Sequence, residues 1–205
     1  MNKIENIIIP LFPLNGAIFF PNSNLPLNIF EKKYIEMVDF ALSSNRLIGM
    51  IQTNSNGGFY SIGSFGKINS FSETNDKRYI INLYGLNYFK IEKELNREEN
   101  FIIANVKIVN NYNQNLKKDS INFDREILIE KYTKHLQNQK LKIDVDIIKG
   151  IEDEELIKFI AMSCSFLTED KQMLLETYSV NELGNKLISL FDFYPPNIGN
   201  KKSIN

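Results

Sequence analysis

The sequence predicts an α+β protein: a β-rich first half forming a closed or nearly closed barrel, followed by a helical second half. Three observations carry this reading. Short apolar runs broken by proline, glycine or asparagine recur at regular intervals between residues 7 and 110, which suits the many short strands of a barrel. The apolar spacing then changes to a period near 3.6. Between the two regimes lies Asn110-Asn-Tyr-Asn-Gln-Asn-Leu-Lys-Lys118, a polar, asparagine-rich stretch that reads as a linker. The expected organisation is a barrel subdomain with one helix over residues 1–112, a helical bundle over 119–196, and a disordered tail over 197–205.

The chain opens with Ile7-Ile-Ile-Pro-Leu-Phe-Pro-Leu14, Phe19-Phe20-Pro21 and Leu25-Pro-Leu-Asn-Ile-Phe-Glu31. Proline fixes φ and removes a backbone donor, so these three runs are expected to be edge-type or bulged strands. Helical spacing follows, with Phe30, Tyr34, Val38 and Ala41 on one face and Lys32, Lys33, Glu36 and Asp39 elsewhere, predicting a helix that caps one barrel opening. Leu47 to Ile51 reads as a buried strand feeding the turn Asn56-Gly57-Gly58. Four more strands are expected at Tyr60–Phe71, Tyr79–Tyr84, Tyr88–Ile91 and Phe101–Val109, separated by Asn75-Asp76, Gly85 and the charged loop Asn96 to Glu99. In the second half, Ile121, Leu128, Tyr132 and Leu136 mark one helix. Leu156, Ile160, Cys164 and Leu167 mark another, starting at the acidic turn Glu152-Asp-Glu-Glu155, where negative charge suits a helix N-terminus. Two shorter helices complete the pattern. The last carries the capping box Ser179-x-x-Glu182 and the stripe Leu183, Leu187, Leu190, Phe191 and Tyr194 before Pro195-Pro196. Gly184 inside that helix costs about 1 kcal/mol relative to alanine, which points to close packing.

Bulk properties exclude several function classes. The 205 residues contain 24 Lys+Arg and 25 Asp+Glu, a net charge of -1, so the basic stripe of a nucleic-acid binder is missing. A single cysteine, Cys164, rules out an intramolecular disulfide and any multi-cysteine metal centre, and fits a reducing compartment. Pro10 and Pro13 interrupt the apolar start, which does not read as a secretion signal. No apolar run reaches the roughly 18 residues that cross a bilayer. Cytoplasmic residence without membrane attachment is the expectation.

The opening, with its P-L-F-P-L run, a second proline and L-P-L-x-I-F-E-x-x-Y in order, resembles the Lon substrate-binding (N-terminal) domain family. Ile62-Gly-Ser-Phe-Gly-Lys-Ile68 resembles its I-G-x-x-x-x-I strand, and Tyr79 to Ile91 its apolar strand, glycine and R-F-x-I segment. Phe159-Ile-Ala161 followed by Glu169-Asp-Lys-Gln-Met-Leu-Leu-Glu176 is similar to its small helix and E-K-Q-x-L-L-E signature. The sequence departs from the pattern at Tyr88, which replaces an arginine, at Cys164-Ser165-Phe166 and at Asn185-Lys186. The resemblance implies a PUA-like β pseudobarrel joined to a helical bundle, and a stand-alone, non-enzymatic domain that recognises polypeptide, with the ATPase and peptidase parts absent.

The residues themselves offer little catalytic chemistry. Gly66-Lys67 is a near miss to a phosphate-binding loop, but Ile68 stands where a hydroxyl is required. His135 has no second ligand at helical spacing, and Cys164 lies on an apolar stripe. Glu152 to Glu155 reads as a solvated helix start. No catalytic residue, metal ligand or cofactor is assigned. Strand alternation instead sends Phe71, Tyr84 and Tyr88 outward, with Ile80, and these aromatics are the candidate peptide-binding residues. The expected partners are unfolded or exposed apolar polypeptide segments. RNA binding, which PUA-like barrels often perform, and a small-molecule pocket between barrel and helices are the alternatives.

Overall fold

The computed structural model describes residues 6–95, 98–109, 122–141 and 144–194. The expected linker at Asn110 to Lys118 and the expected tail at 197–205 lie outside the described residues. Six strands and six helices are present among those described: β1 (Asn6–Pro13), β2 (Asn24–Ile29), α1 (Lys32–Leu42), β3 (Leu47–Ile51), β4 (Ile62–Glu73), β5 (Tyr79–Leu95), β6 (Ile102–Val109), α2 (Arg125–Asn138), α3 (Val145–Lys149), α4 (Asp153–Ser163), α5 (Thr168–Leu175) and α6 (Val180–Phe193). The chain divides into two compact units. The first holds the strands, α1 and the segment Ser165–Glu176; the second holds the remaining helices.

The sheet runs β2-β5-β4-β3-β1-β6, with a further pairing of β5 to β6. The ladders therefore form a circuit through β5, β4, β3, β1 and β6, with β2 added outside it. The β1–β3 ladder is the short member, parallel and limited to Leu11↔Gly49, Phe12↔Met50 and Pro13↔Ile51, which makes this a pseudobarrel. Inside it Ile9, Leu11, Ile51, Phe65, Phe89, Ala104 and Val106 form one buried cluster. The Phe89 ring fills the centre because two glycines make room. A Cβ on Gly63 would sit 2.6 Å from Phe89 Cζ, and one on Gly49 3.0 Å from Cε1.

Three expectations about the opening change. β1 is an internal strand, flanked by β3 and β6, not an edge. Pro10 is tolerated there because the β3 ladder begins only at Leu11, while Pro10 itself is registered with Ile103 of β6 alone. The Phe19-Phe20-Pro21 run is no strand. It is a loop whose two rings are 0% and 1% exposed. Among the described strands only β2, carrying Pro26, is an edge strand. In α1, Met37, Val38 and Ala41 are buried and Tyr34 lies 4.4 Å from Phe12 of β1, ring centre to ring centre, whereas Phe30 is 63% exposed and outside the helix.

β5 is one strand of 17 residues, where the sequence suggests two. Gly85 does not end it. The register passes from Gly66↔Gly85 to Phe65↔Asn87, so Leu86 is an extra residue, a β-bulge. The bulge divides the strand's duties: Tyr79–Tyr84 pair with β2, and Tyr88–Leu95 with β6. Gly85 is required here, because a Cβ would sit 2.1 Å from the Phe20 carbonyl oxygen. The same backbone is pinned by Asn22 N–H donating to the Gly85 carbonyl at 3.0 Å and Gly85 N–H to that of Ser23 at 2.9 Å.

In the second unit, Asp124 accepts from Ile127 N–H at 2.9 Å to cap α2, and Ser179 accepts from Glu182 N–H at 3.4 Å to cap α6. Arg125 pairs with Asp153 and donates to the carbonyls of Lys149 and Ile151 at 2.9 and 2.6 Å, fastening the turn between α3 and α4. α4 stops at Ser163, so Cys164 is its buried C-cap and Leu167 is 59% exposed instead of extending the apolar stripe. The Phe123 ring lies 2.7 Å from where a Cβ on Gly184 would stand, which accounts for a glycine inside α6.

Candidate functional site

Residues paired across a ladder share a face, so the registers define which side chains stand together. On the solvent side of β2, β5 and β4, three rungs run Asn28–Ile80–Ser72, Pro26–Asn82–Ser70 and Asn24–Tyr84–Lys67. Ile80 is 50% and Tyr84 37% exposed. Lys67 is the one charge among these nine positions. The amides are held in place: Asn82 Nδ2 donates to Asn24 Oδ1 at 2.8 Å and to Asn69 Oδ1 at 2.9 Å, and the Tyr84 hydroxyl donates to Asn22 Oδ1 at 3.2 Å. Leu86, at the bulge, is also exposed. The result is an open, nearly uncharged surface, apolar in patches and lined with ordered amides. It offers apolar contact and side-chain hydrogen bonds; it carries no acid, base or nucleophile set against another.

The three aromatics picked from the sequence are not brought together. Tyr84 is outward as expected. Phe71 is 48% exposed but stands on the opposite face. A register shift between Ile68 and Ser70 makes Asn69 a bulge, so Phe71 is registered with the inward Ile81, and its ring meets that of Tyr79 edge-on at 6.3 Å. Tyr88 is fully buried, which overturns its place in a peptide-binding surface. Alternation does point it away from Phe89, but that face is covered here: the row Phe12, Met50, Ser64 and Tyr88 is buried throughout, and Tyr34 of α1 packs on Phe12. The asparagines and Pro26 are the members that sequence reasoning missed. Their period-two spacing, Asn24-x-Pro26-x-Asn28, was the available signal.

At the margin of the first unit, the Tyr79 hydroxyl donates to Asp39 Oδ1 of α1 at 2.8 Å. That carboxylate, aided by partial burial, pushes the tyrosine up to about 12. In the second unit a shallow cleft between α2 and α6 is lined by Ile127, Lys131, His135 and Phe191. Burial pushes the His135 imidazole below the ordinary histidine range, and its Nε2 lies 2.9 Å from Gln139 Nε2. The acidic start of α4 is used structurally, Asp153 by Arg125 and Glu154 by Lys158 at 2.5 Å. Among the described residues no group of three or more His, Cys, Asp or Glu is placed to hold a metal, and no helix is long and apolar enough to cross a membrane.

Comparison with known proteins places this geometry. The family model of the ATP-dependent protease La (LON) substrate-binding domain matches residues 8–192. The Lon protease of Cytophaga hutchinsonii is 27% identical over 195 residues, covering 90% of this chain and 24% of that protein. The Lon protease of Dictyoglomus thermophilum is 24% identical over 190 residues, covering 89% and 24%. The chain thus spans about a quarter of the length of these relatives. Among solved structures, the Lon N-terminal domain protein of Xanthomonas campestris aligns over 92% of this chain and 99% of its own, with a TM-score of 0.59 and 18% identity. The N-terminal domain of the Mycobacterium avium complex Lon protease aligns over 92% and 100%, with a TM-score of 0.62 and 17% identity. A family match across most of the chain, on the fold these structures share, shows that the chain belongs to the Lon substrate-binding domain family.

Proposed function

We propose that this chain is a non-catalytic polypeptide-recognition module that binds unfolded or exposed apolar segments of protein substrates, acting as an adaptor that holds them for a protease. The observation that carries the reading is the match of a substrate-binding domain family to residues 8–192. The solvent-exposed surface of β2, β5 and β4 at these three rungs is the one we assign to it, with Ile80, Tyr84 and Pro26 as apolar contacts and Asn24 and Asn82 as hydrogen-bonding groups. Phe71 forms a separate contact on the other face, and Tyr88 is a core residue. A net charge of -1 supports polypeptide over nucleic acid as the partner.

The test is binding of the purified chain to a chemically unfolded protein and to a peptide library, read by fluorescence anisotropy beside an unrelated barrel protein. The double substitution Ile80→Ser with Tyr84→Ser removes two half-exposed apolar groups. Affinity is expected to fall about tenfold, from roughly 1 to 2 kcal/mol of lost apolar burial, while the melting temperature stays put. No enrichment over the unrelated barrel would sink the proposal. Retained binding in the double variant, with loss in Phe71→Ser, would move the site to the other face.

A further inference from the structure

The Glu169–Glu176 motif takes no part in the recognition face, yet its helix, α5, groups with the strands although the chain on both sides of it, at Cys164 and at Thr177, belongs to the second unit. Two almost fully buried amides explain the grouping. Gln52, next to the end of β3, is 1% exposed, and Gln172 of α5 is 3% exposed. Gln52 Nε2 donates to Gln172 Oε1 at 3.0 Å and to the Thr168 carbonyl at 3.3 Å, while its Oε1 accepts from Gly16 N–H at 2.9 Å. Gln172 Nε2 donates to the Ile62 carbonyl at the start of β4 at 3.0 Å and to Glu176 Oε1 at 2.7 Å. Both amide nitrogens thus use both of their protons, and both amide oxygens are engaged.

We propose that α5 is a strap built into the fold, a segment threaded out of the helical unit that completes the strand unit at the β3–β4 junction. Leu174 and Leu175, both buried, supply apolar area, but area alone would accept several helix positions. The amides choose one. Sliding α5 by a residue breaks at once the three bonds that join it to Gln52 and to the Ile62 carbonyl, and a buried amide left unmade costs far more than a made one gains. Order at the β3–β4 junction is therefore tied to the placement of α5.

The test is hydrogen exchange of the full chain, followed by mass spectrometry, in the wild type, Gln52→Leu, Gln172→Leu and the double variant. Gln172→Leu removes the acceptor of one Gln52 amide proton and a donor to the Ile62 carbonyl, so protection is expected to fall about tenfold or more in α5 and in β3 and β4 together. The double variant, which removes both amides, should recover part of that loss. In wild-type chain under mild urea, α5 and the β3–β4 junction should open in one step, a reading that survives even if a single variant fails to fold. Loosening of α5 alone, with β3 and β4 at wild-type protection, or opening of α5 well before the strands in wild type, would overturn the proposal.

Discussion

Two glycines show how far a single missing side chain can decide local structure. At Gly184 the obstacle is the Phe123 ring, 2.7 Å from the position of an added Cβ, and a ring can tilt. Alanine would gain about 1 kcal/mol of helix propensity there but lose roughly 1 to 3 kcal/mol to overpacking, so Gly184→Ala should be mildly destabilising. At Gly85 the obstacle is backbone, the Phe20 carbonyl oxygen at 2.1 Å, which is also fixed through the Asn22 and Ser23 bonds. Gly85→Ala should cost clearly more than Gly184→Ala. Urea titrations of the two variants check the order, and a larger loss at Gly184 would contradict it. Tyr79 offers a different residue-scale measurement. Its folded value, about 12, lies above the 10.0 of an unperturbed tyrosine, so the unfolded chain gives up its proton first as pH rises. The contribution is fully present below pH 10 and is lost between about 10 and 12. Ultraviolet titration should find a late-ionising tyrosine in the wild type, shifted back toward the normal range by Asp39→Asn.

Among elements, β5 matters most, because one strand serves three ladders, with β2, β4 and β6, and its bulge sets which side chains face out. Counting parity from Tyr79 across Gly85 fails beyond Leu86, just as counting from Ile68 to Phe71 fails across Asn69. A bulge inserts one residue into one strand, and every later side chain changes face. Deleting Leu86 would therefore turn Phe89 out of the barrel and Tyr88 into it. The expected outcome is loss of cooperative unfolding, seen as a flat circular-dichroism melt; a variant that melts like the wild type would mean the bulge is dispensable. β1 makes a related point. Its prolines suggest an edge, but a strand can be internal and still hold a proline where one of its ladders has not yet begun, as Pro10 does.

At the scale of the whole molecule, the sequence by itself determined the class: strand-length apolar runs, then helical spacing, then the ordered motifs that resemble one domain family. These signals are local, and hydrophobic periodicity with turn and cap residues suffices to write them, as the cap Ser179 and the close-packed Gly184 illustrate. Half of the candidate surface was equally legible, since Ile80 and Tyr84 precede the bulge and obey simple alternation from Tyr79. What only the tertiary structure decided depends on residues far apart in sequence. Phe71 and Tyr84 part to opposite faces through ladder registers, Tyr88 is buried under a cover that no window around it contains, and Gln172 finds Gln52 across 120 positions. The prolines of the opening likewise acquired their meaning from the partner strands beside them. Local patterning specifies what each segment can form; pairing, bulges and cover are properties of the neighbours a segment meets, and those are settled only when the chain closes on itself.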